Sequence, residues 1–296
     1  MTEESVLAET SETFRRMWNR RGLRAEIRAA NAIAIRVWQV ELSYPLSVLW
    51  FIVMPFIWFI PLLIAGTAVA GGPESSYLES LVGTRDWISF VAVGTAITGL
   101  TISMMWGTGM SLRREQNTGT LETLMTTPMH THTLVWGSML HNLQHGGLGV
   151  ILQMGAAVVF FGVTINAWGV LPALGIIALA IIGLQGVVFA ITCIVLFAKQ
   201  GWMIVEFISS TLLLVAPLSY PIAVLPPILQ YVSQASPLTW SVEGFRGFLL
   251  DGLAYAGVVQ VVTSLLVLDI IFIFLGAMMY RYTERYVRKR GAWDQF

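Results

Sequence analysis

Two histidines four residues apart are the first candidates for chemistry in this sequence. His141 and His145 would lie on one face of a helix, beside Asn142 and Gln144. Imidazole nitrogens at this spacing can bind a metal ion or carry a proton. No carboxylate or thiol lies close to them in the sequence to complete a metal site. We therefore favour polar helix packing or the lining of a cavity, and we predict no metal site.

Two acidic residues lie in strongly apolar runs, where a charge is costly. If Asp269 lies near the middle of a membrane span, its charge costs at least about 2.5–3.5 kcal/mol. It must then be protonated or face a partner, and a satisfied structural carboxyl is favoured over a role in substrate passage or in linking two helices. Glu206 lies nearer the start of its run. For Glu206 an interfacial ion pair, for example with Lys199, is favoured over a gate.

The sequence excludes a phosphate-binding loop for nucleotide hydrolysis, because neither lysine stands in the required motif. A phosphate-binding loop requires Gly-x-x-x-x-Gly-Lys followed by Ser or Thr. The two lysines, Lys199 and Lys289, are followed by Gln200 and Arg290. No nucleophile set or pair of carboxylates has an interpretable spacing, and the sole cysteine, Cys193, lies in an apolar run. We predict that this chain has no catalytic residues and holds no cofactor.

The composition indicates the kind of element that must position these residues. Of the 296 residues, 56% are hydrophobic and 11% are charged, whereas soluble domains carry about a quarter charged residues. The mean hydropathy is +0.72. A net charge of zero gives no basic field that would favour nucleic acid. These values predict an all-α membrane protein. The runs without Asp, Glu, Lys or Arg are residues 42–73, 87–112, 123–198, 207–242 and 252–268.

Dividing these runs into segments that are long enough to cross a bilayer predicts six membrane spans. A helical span needs about 20 residues. The fifth candidate begins at Trp202 and ends before Pro217, which makes it short for a full crossing. We therefore expect a six-span domain over residues 45–280. The other predicted spans are residues 46–64, 87–112, 134–161, 171–197 and 258–280.

A proline-rich apolar segment, residues 219–250, precedes the last span. Proline breaks helices, and irregular backbone at membrane depth survives only where protein or a watery cavity covers it. We expect short re-entrant or interfacial helices here, with Glu243 and Arg246 paired on one helical turn at the outer interface. The prolines that matter most for this reading are Pro226, Pro227 and Pro237.

The positions of the basic residues predict the orientation. With six spans and an internal N-terminus, all of the 17 Lys and Arg except Arg85 and Arg246 fall on the cytoplasmic side. Both termini are then cytoplasmic, as residues 1–44 and a basic tail of residues 281–296. Residues 12–42 alternate arginines with aromatic and aliphatic residues, as in an amphipathic helix at the membrane surface. A solvated basic arm is the alternative.

A short polar segment between the second and third spans, residues 113–128, has its own helical pattern. About eight polar residues precede an apolar face, with Glu122 on the opposite face and Pro128 as a stop. The segment therefore predicts a short amphipathic helix on the cytoplasmic side, and an ordinary surface loop helix is the alternative. The apolar face consists of Leu121, Leu124 and Met125.

This segment resembles the signature of the ABC-2 type permeases, the membrane subunits of ATP-driven exporters of drugs, lipids and polysaccharides. The signature reads Glu-x-x-x-Gly-Thr-Leu-Glu-x-Leu-x-x-Thr-Pro. The resemblance extends over nearly the whole chain, from the basic interfacial helix to the Pro226-Pro227 and Pro237-Leu238 pairs. The matching residues are Glu115, Gly119, Thr120, Leu121, Glu122, Leu124, Thr127 and Pro128.

The resemblance implies a function for the segment and a set of partners. A coupling helix over residues 118–126 would dock on a separate ATPase, with Leu121, Leu124 and Met125 in an apolar groove and Glu115 and Glu122 at its rim. Two copies of that ATPase would bind ATP and Mg²⁺. A second permease chain, identical or paralogous, would complete the transporter in the cell (inner) membrane, among membrane lipids.

The substrate is the least determined part of this expectation. Long apolar spans favour export of a hydrophobic drug or a lipid-like molecule over export of a polysaccharide or glycolipid. A secondary transporter or channel driven by an ion gradient is a less favoured alternative, because such proteins usually place several ionisable groups at the midplane. A membrane scaffold without transport is the third possibility.

Overall fold

The computed structural model describes residues 22–70, 72–127, 129–198, 200–251 and 255–290. Within these ranges nearly all residues are helical, and β structure is limited to an isolated bridge between Glu74 and Asp86. The prediction of an all-α membrane protein is confirmed. The predicted N-terminal arm before residue 22, Pro128, Lys199 and the end of the basic tail lie outside the described residues, as do the side chains of Glu122 and Met125.

The described part of the chain forms α-helices joined by short turns. Two π-helical segments, Ser103–Thr108 and Gly247–Asp251, continue helices α4 and α11 of the series below, and 3-10 turns lie at Ala167–Gly169 and Ile222–Val224. The helices are α1 (Leu23–Leu42), α2 (Pro45–Ala70), α3 (Ser76–Val82), α4 (Trp87–Ile102), α5 (Ser111–Asn117), α6 (Leu121–Met125), α7 (Thr131–Phe161), α8 (Val170–Phe197), α9 (Gly201–Val215), α10 (Pro227–Gln234), α11 (Pro237–Arg246) and α12 (Tyr255–Arg290).

Five of these helices are long and apolar enough to cross a bilayer, namely α2, α4 with its π-helical end, α7, α8 and α12. The sequence predicts six spans. The sixth candidate, α9, has 15 residues, which gives a length of about 22 Å against a hydrocarbon core of about 30 Å. It ends before Pro217, where the missing backbone N–H interrupts the helix. A full crossing by α9 stays a prediction.

Helices α4 and α8 form the centre of the molecule. Within the described residues, 72% of the apolar window of α4 and 67% of that of α8 are buried, against 12% for α2 and 17% for α12. The two outer helices therefore present most of their apolar side chains to the surroundings, as lipid-facing helices do. Helix α12 nevertheless packs closely on α8. At Gly276 the two backbones are so near that an added Cβ atom would lie 2.3 Å from the carbonyl oxygen of Gly186.

The proline-rich segment contains two short helices, and proline begins each of them. Pro226 is the N-cap residue and Pro227 the first residue of α10, while Pro237 is the first residue of α11. Proline suits these positions because the first N–H groups of a helix have no intrahelical partner. Helix α11 is largely buried. Whether the segment is re-entrant stays a prediction.

Candidate functional site

Residues 111–125 form a helical hairpin, in place of the single helix expected over residues 118–126. Helix α5 ends at Asn117, and α6 begins at Leu121. Between them Gly119 has a φ of +70°, a left-handed conformation that is costly for residues with a Cβ atom. The backbone N–H of Thr120 donates to the carbonyl oxygen of Glu115 at 3.0 Å and closes the turn. The α5–α6 hairpin therefore consists of two short helices around a glycine turn.

Glu115 joins this hairpin to α1. Its carboxylate forms an ion pair with Arg36 and accepts a hydrogen bond from the hydroxyl of Thr120 at 2.5 Å. Glu115 is only 8% exposed. In this structure the basic partner of Glu115 lies in the same chain, and contact between Glu115 and basic groups of an ATPase stays a prediction.

Leu121 is also directed into the protein. It is fully buried in a group of side chains contributed by α1, α5, α6, α7 and α8, which we name the hairpin cluster. Leu124 is half-buried against the same cluster. In this structure Leu121 therefore cannot fill a groove on a partner, contrary to expectation. The buried members are Ile33, Leu112, Leu121, Leu134, Val135 and Leu196.

The surface that the hairpin leaves exposed is polar. The turn from Asn117 to Thr120 is exposed, and so are Thr123 and Thr126 on α6. Thr127 is half-buried, and its hydroxyl donates to the carbonyl oxygen of Leu124 at 2.6 Å. The face available to a partner is thus the tip of the hairpin and the threonine side of α6.

Helix α1 makes further polar contacts with α7, among them a hydrogen bond of 2.8 Å from Nε1 of Trp38 to Oε1 of Gln144. Glu26 accepts a hydrogen bond from the hydroxyl of Thr133. At the other end of α1, the carboxylate of Glu41 lies 3.1 Å from Nε2 of His141. Burial acts to raise the pKa of Glu41, but the hydrogen bond and charge of His141, with the charges of His145 and Arg114, hold that pKa below its ordinary value.

The two histidines of the sequence motif therefore have different surroundings. His141 is buried and contacts Glu41, a carboxylate 100 residues away that no sequence pattern links to it. His145 packs against Phe51 with 4.2 Å between ring centroids, and its Nδ1 lies 3.4 Å from the hydroxyl of Ser103. Among the described residues, no group of three His, Cys, Asp or Glu could hold a metal ion.

Arg246 does not pair with Glu243 as expected. Its guanidinium group donates to the carbonyl oxygens of Phe90 at 3.1 Å and Pro217 at 2.5 Å, and to that of Leu218. It also lies 3.5 Å from the centroid of the Phe90 ring. In the described part of the chain no ion pair joins Glu243 to Arg246. A buried arginine needs acceptors for its several N–H groups, and three fixed carbonyl groups supply them here.

The two acidic residues of the apolar runs also differ in their surroundings. Asp269 is 3% exposed, and neither carboxylate oxygen has a hydrogen-bond partner among the described residues. Its carboxyl group lies against α8, where a Cβ atom at Gly183 would be 2.1 Å from Oδ1. Glu206 instead accepts a hydrogen bond from the hydroxyl of Ser210 at 2.9 Å, one turn further along α9.

A cavity of about 900 Å³ lies between α2, α4 and α7, next to the end of α1. Its walls are mostly apolar, and its polar lining residues include Glu41, Ser47, His145 and Gln153. The side-chain amide of Gln153 donates to the hydroxyl of Thr95 at 2.5 Å. The sequence predicts His145 as a possible cavity residue. Nothing in the sequence indicates that α2 and the end of α1 line the same cavity.

Comparison with known proteins identifies the family of this chain. Residues 28–250 match the family described as ABC-2 type transporter. The matched range contains the α5–α6 hairpin, the cavity and the proline-rich segment. The comparison with curated proteins found no match. Because the family match covers well over half of the chain, this protein belongs to the ABC-2 type transporter family, whose members are the membrane-embedded permease subunits of ABC transporters.

Proposed function

We propose that this permease exports hydrophobic or lipid-like molecules, and that a separate ABC ATPase drives it by pushing on the α5–α6 hairpin. Family membership implies a partner ATPase, and the chain has no phosphate-binding loop of its own. ATP and Mg²⁺ would bind to two copies of that ATPase. A second permease chain, identical or paralogous, would complete the assembly in the cell membrane, with both termini in the cytoplasm.

The observation that carries this proposal is the internal anchoring of the hairpin. Through its ends it continues into α4 and α7, and through Glu115 and Arg36 it is joined to α1. The hairpin cluster adds a packed contact to Leu196 on α8. A rigid element held at several points moves its neighbours when it is displaced, as in the rigid-body shifts of known switches. Closure of the ATPase dimer could in this way tilt several spans together.

The docking face follows from what the hairpin leaves exposed. Leu121 and Glu115 hold the hairpin in place, so the ATPase would contact the turn from Asn117 to Thr120, with Thr123 and Thr126 beside it. These residues are polar, as residues at the rim of a protein–protein interface are. Glu122 and Met125, whose side chains are not described, would lie on the same short helix.

The cavity supports a hydrophobic substrate over a polysaccharide. Its lining is mostly apolar, whereas a sugar chain requires many hydrogen-bonding groups along its path. The polar side chains in its walls are largely engaged within the protein, as the Gln153–Thr95 hydrogen bond illustrates. Polysaccharide export and ion-driven transport are the alternatives that the experiment below distinguishes.

The test is ATP-dependent transport by the complex with its ATPase, purified from native membranes and reconstituted into vesicles. We expect ATP hydrolysis to depend on this chain and to drive a fluorescent lipophilic probe across the bilayer. Thr123→Trp and Thr126→Trp should each lower coupled ATP hydrolysis at least tenfold. Ser80→Trp, an exposed position on α3, is the matched control and should change nothing. Transport driven by a proton gradient without ATP, or unchanged coupling in both threonine variants, would overturn the proposal.

A further inference from the structure

The cavity between α2, α4 and α7 has the size of a binding site for a small amphipathic molecule. Its volume of about 900 Å³ lies within the range of about 300–1,000 Å³ found for ligand pockets. The first turns of α2, the second half of α4 and the middle of α7 contribute the walls. In the orientation predicted from the basic residues, the cavity therefore extends from the cytoplasmic surface toward the middle of the bilayer.

The interior of this cavity offers apolar surface and few free hydrogen-bonding groups. Ala96, Gly99 and Ile102 on α4 line it, together with Gly146 and Gly149 on α7. The hydroxyl of Thr98 donates to the carbonyl oxygen of Gly94 at 3.0 Å, and that of Ser103 to the carbonyl oxygen of Asn142 at 3.1 Å. A hydrocarbon chain fits these walls, because it requires no hydrogen bonds of its own.

The mouth of the cavity carries one carboxylate. Among the lining residues that the structure describes, Glu41 is the only Asp, Glu, Lys or Arg. Its Oε2 contacts His141, whereas Oε1 has no donor among the residues that the structure describes, and 35% of the side chain is exposed. The lowered pKa of Glu41 keeps the carboxyl group ionised at neutral pH. A positively charged group at the mouth would therefore find a partner with room to approach it.

Aromatic side chains line the same cavity as that carboxylate. They are Tyr44, Trp50 and Phe51, of which Tyr44, three residues after Glu41, and Trp50 are each more than half exposed. The faces of aromatic rings attract cations, and quaternary ammonium groups are bound in this way by aromatic cages. An anionic headgroup would gain nothing from either the rings or the carboxylate. Carboxylate and aromatic rings thus favour the same kind of headgroup.

We propose that this cavity binds a cationic amphiphile from the inner leaflet, with its quaternary ammonium headgroup at Glu41, Tyr44 and Trp50 and its hydrocarbon tail between α2, α4 and α7. The binding site stands on its own geometry, and its role as a substrate site rests on the proposed export function. Helix α2, which forms one wall, is the least buried of the long helices. A molecule dissolved in the inner leaflet therefore meets this wall directly.

The test is binding to the full chain in nanodiscs of zwitterionic lipid, without ATP. The probe is radiolabelled hexadecyltrimethylammonium at submicellar concentration, and hexadecyl sulfate and an uncharged hexadecyl ether serve as analogues of equal tail length. We expect the cation to bind at least tenfold more tightly than either analogue. Glu41→Gln should weaken binding of the cation at least tenfold, and it should leave binding of the uncharged analogue unchanged.

A second pair of variants tests the position of the tail. A Cβ atom at Gly99 has no neighbour within 4 Å, so Gly99→Leu can fill the cavity without a clash. It should weaken binding of all three probes. Gly155→Leu is the matched control, because Gly155 has equal space on α7 but does not line the cavity. Thermal unfolding of each variant verifies that it is folded.

Three results would overturn the proposed site. In the first, the sulfate and the ammonium probe bind with equal affinity. In the second, Glu41→Gln binds the cation as tightly as the unchanged protein does. In the third, Gly99→Leu binds every probe as tightly as the unchanged protein does. None of these measurements requires ATP hydrolysis. Failure of the export function would instead appear as an absence of ATP-driven transport in the reconstituted complex with cation binding intact, so the two failures can be told apart.

Discussion

Replacing Arg246 tests how the chain keeps its irregular backbone satisfied inside the folded protein. Arg246 donates to three carbonyl oxygens, two of which, those of Pro217 and Leu218, follow the end of α9. A carbonyl group that leaves a helix at membrane depth has no water to bind, so it needs a donor from the protein. We expect Arg246→Met to remove that donor while keeping much of the side-chain volume.

The magnitude follows from the two acceptors beyond the end of α9, since the carbonyl oxygen of Phe90 lies within α4 and keeps its helical partner. A buried acceptor left without a partner costs about 1–3 kcal/mol, and carbonyl groups fall toward the low end because nearby backbone can shift to them. We therefore expect a loss of about 3 kcal/mol in the free energy of unfolding, which lowers Tm by about 5 °C for a chain of 296 residues. The Tm of Arg246→Lys should lie between that of the unchanged protein and that of Arg246→Met. An ammonium group lacks the planar fork of the guanidinium group and cannot reach all three oxygens.

The assay is thermal unfolding of the purified protein in detergent, with Arg85→Met as control. Arg85 is the other arginine predicted to be external; it is mostly exposed and contacts Glu79 at 2.6 Å, so its loss should change Tm little. Gly94→Ala gives an independent perturbation, because a Cβ atom there would lie 1.6 Å from the carbonyl oxygen of Leu218. The effects of Gly94→Ala and Arg246→Met should not add. Equal Tm values for Arg246→Met and Arg85→Met would refute this reasoning.

Three further predictions, two of them with a matched control variant, test the hairpin and the helix contacts. Leu121→Ala should lower the free energy of unfolding by about 2–5 kcal/mol because it empties a fully buried position, whereas Thr123→Ala should stay within about 0.5 kcal/mol; denaturant titration measures both. Gly276→Val should lower the yield of folded protein in size-exclusion chromatography because its side chain meets backbone of α8, and Gly175→Val, with free space around its Cβ, should not. Glu115→Ala should increase amide hydrogen exchange in the α5–α6 hairpin because Arg36 and Thr120 lose their acceptor; unchanged exchange would show that the hairpin does not depend on this contact.

The long helices could be predicted from the sequence because one physical quantity determines their length. The hydrocarbon thickness of a bilayer requires about 20 apolar residues, so runs without charge indicate where spans lie. Their ends are also local features: Gly162, with a φ of +70°, ends α7, and Pro217 follows the end of α9. The described helix α12 continues to Arg290, past the predicted end at residue 280, because polarity ends a membrane span without ending a helix.

The partners of the functional residues could not be predicted in the same way. The pattern of Leu121, Leu124 and Met125 establishes that α6 has an apolar face, but periodicity does not distinguish packing within a chain from packing on a partner. The contact between Glu41 and His141 joins positions 100 residues apart. Arg246 illustrates the same limit. The spacing of three to Glu243 made a local ion pair the simplest expectation, whereas the carbonyl groups that accept its hydrogen bonds lie elsewhere in the chain.

Helix α1 connects the α5–α6 hairpin with the cavity. Glu26, Arg36 and Glu41 contact Thr133, Glu115 and His141, so three of its charged side chains bind α5 and α7. Four of its apolar side chains are instead more than half exposed, namely Leu23, Ile27, Ile35 and Leu42. In water an exposed aliphatic surface of this kind would be unfavourable. At a membrane surface the same arrangement is favourable, since lipid covers the aliphatic side while the protein satisfies the charges. The helix that borders the cavity is therefore also the helix that holds the hairpin.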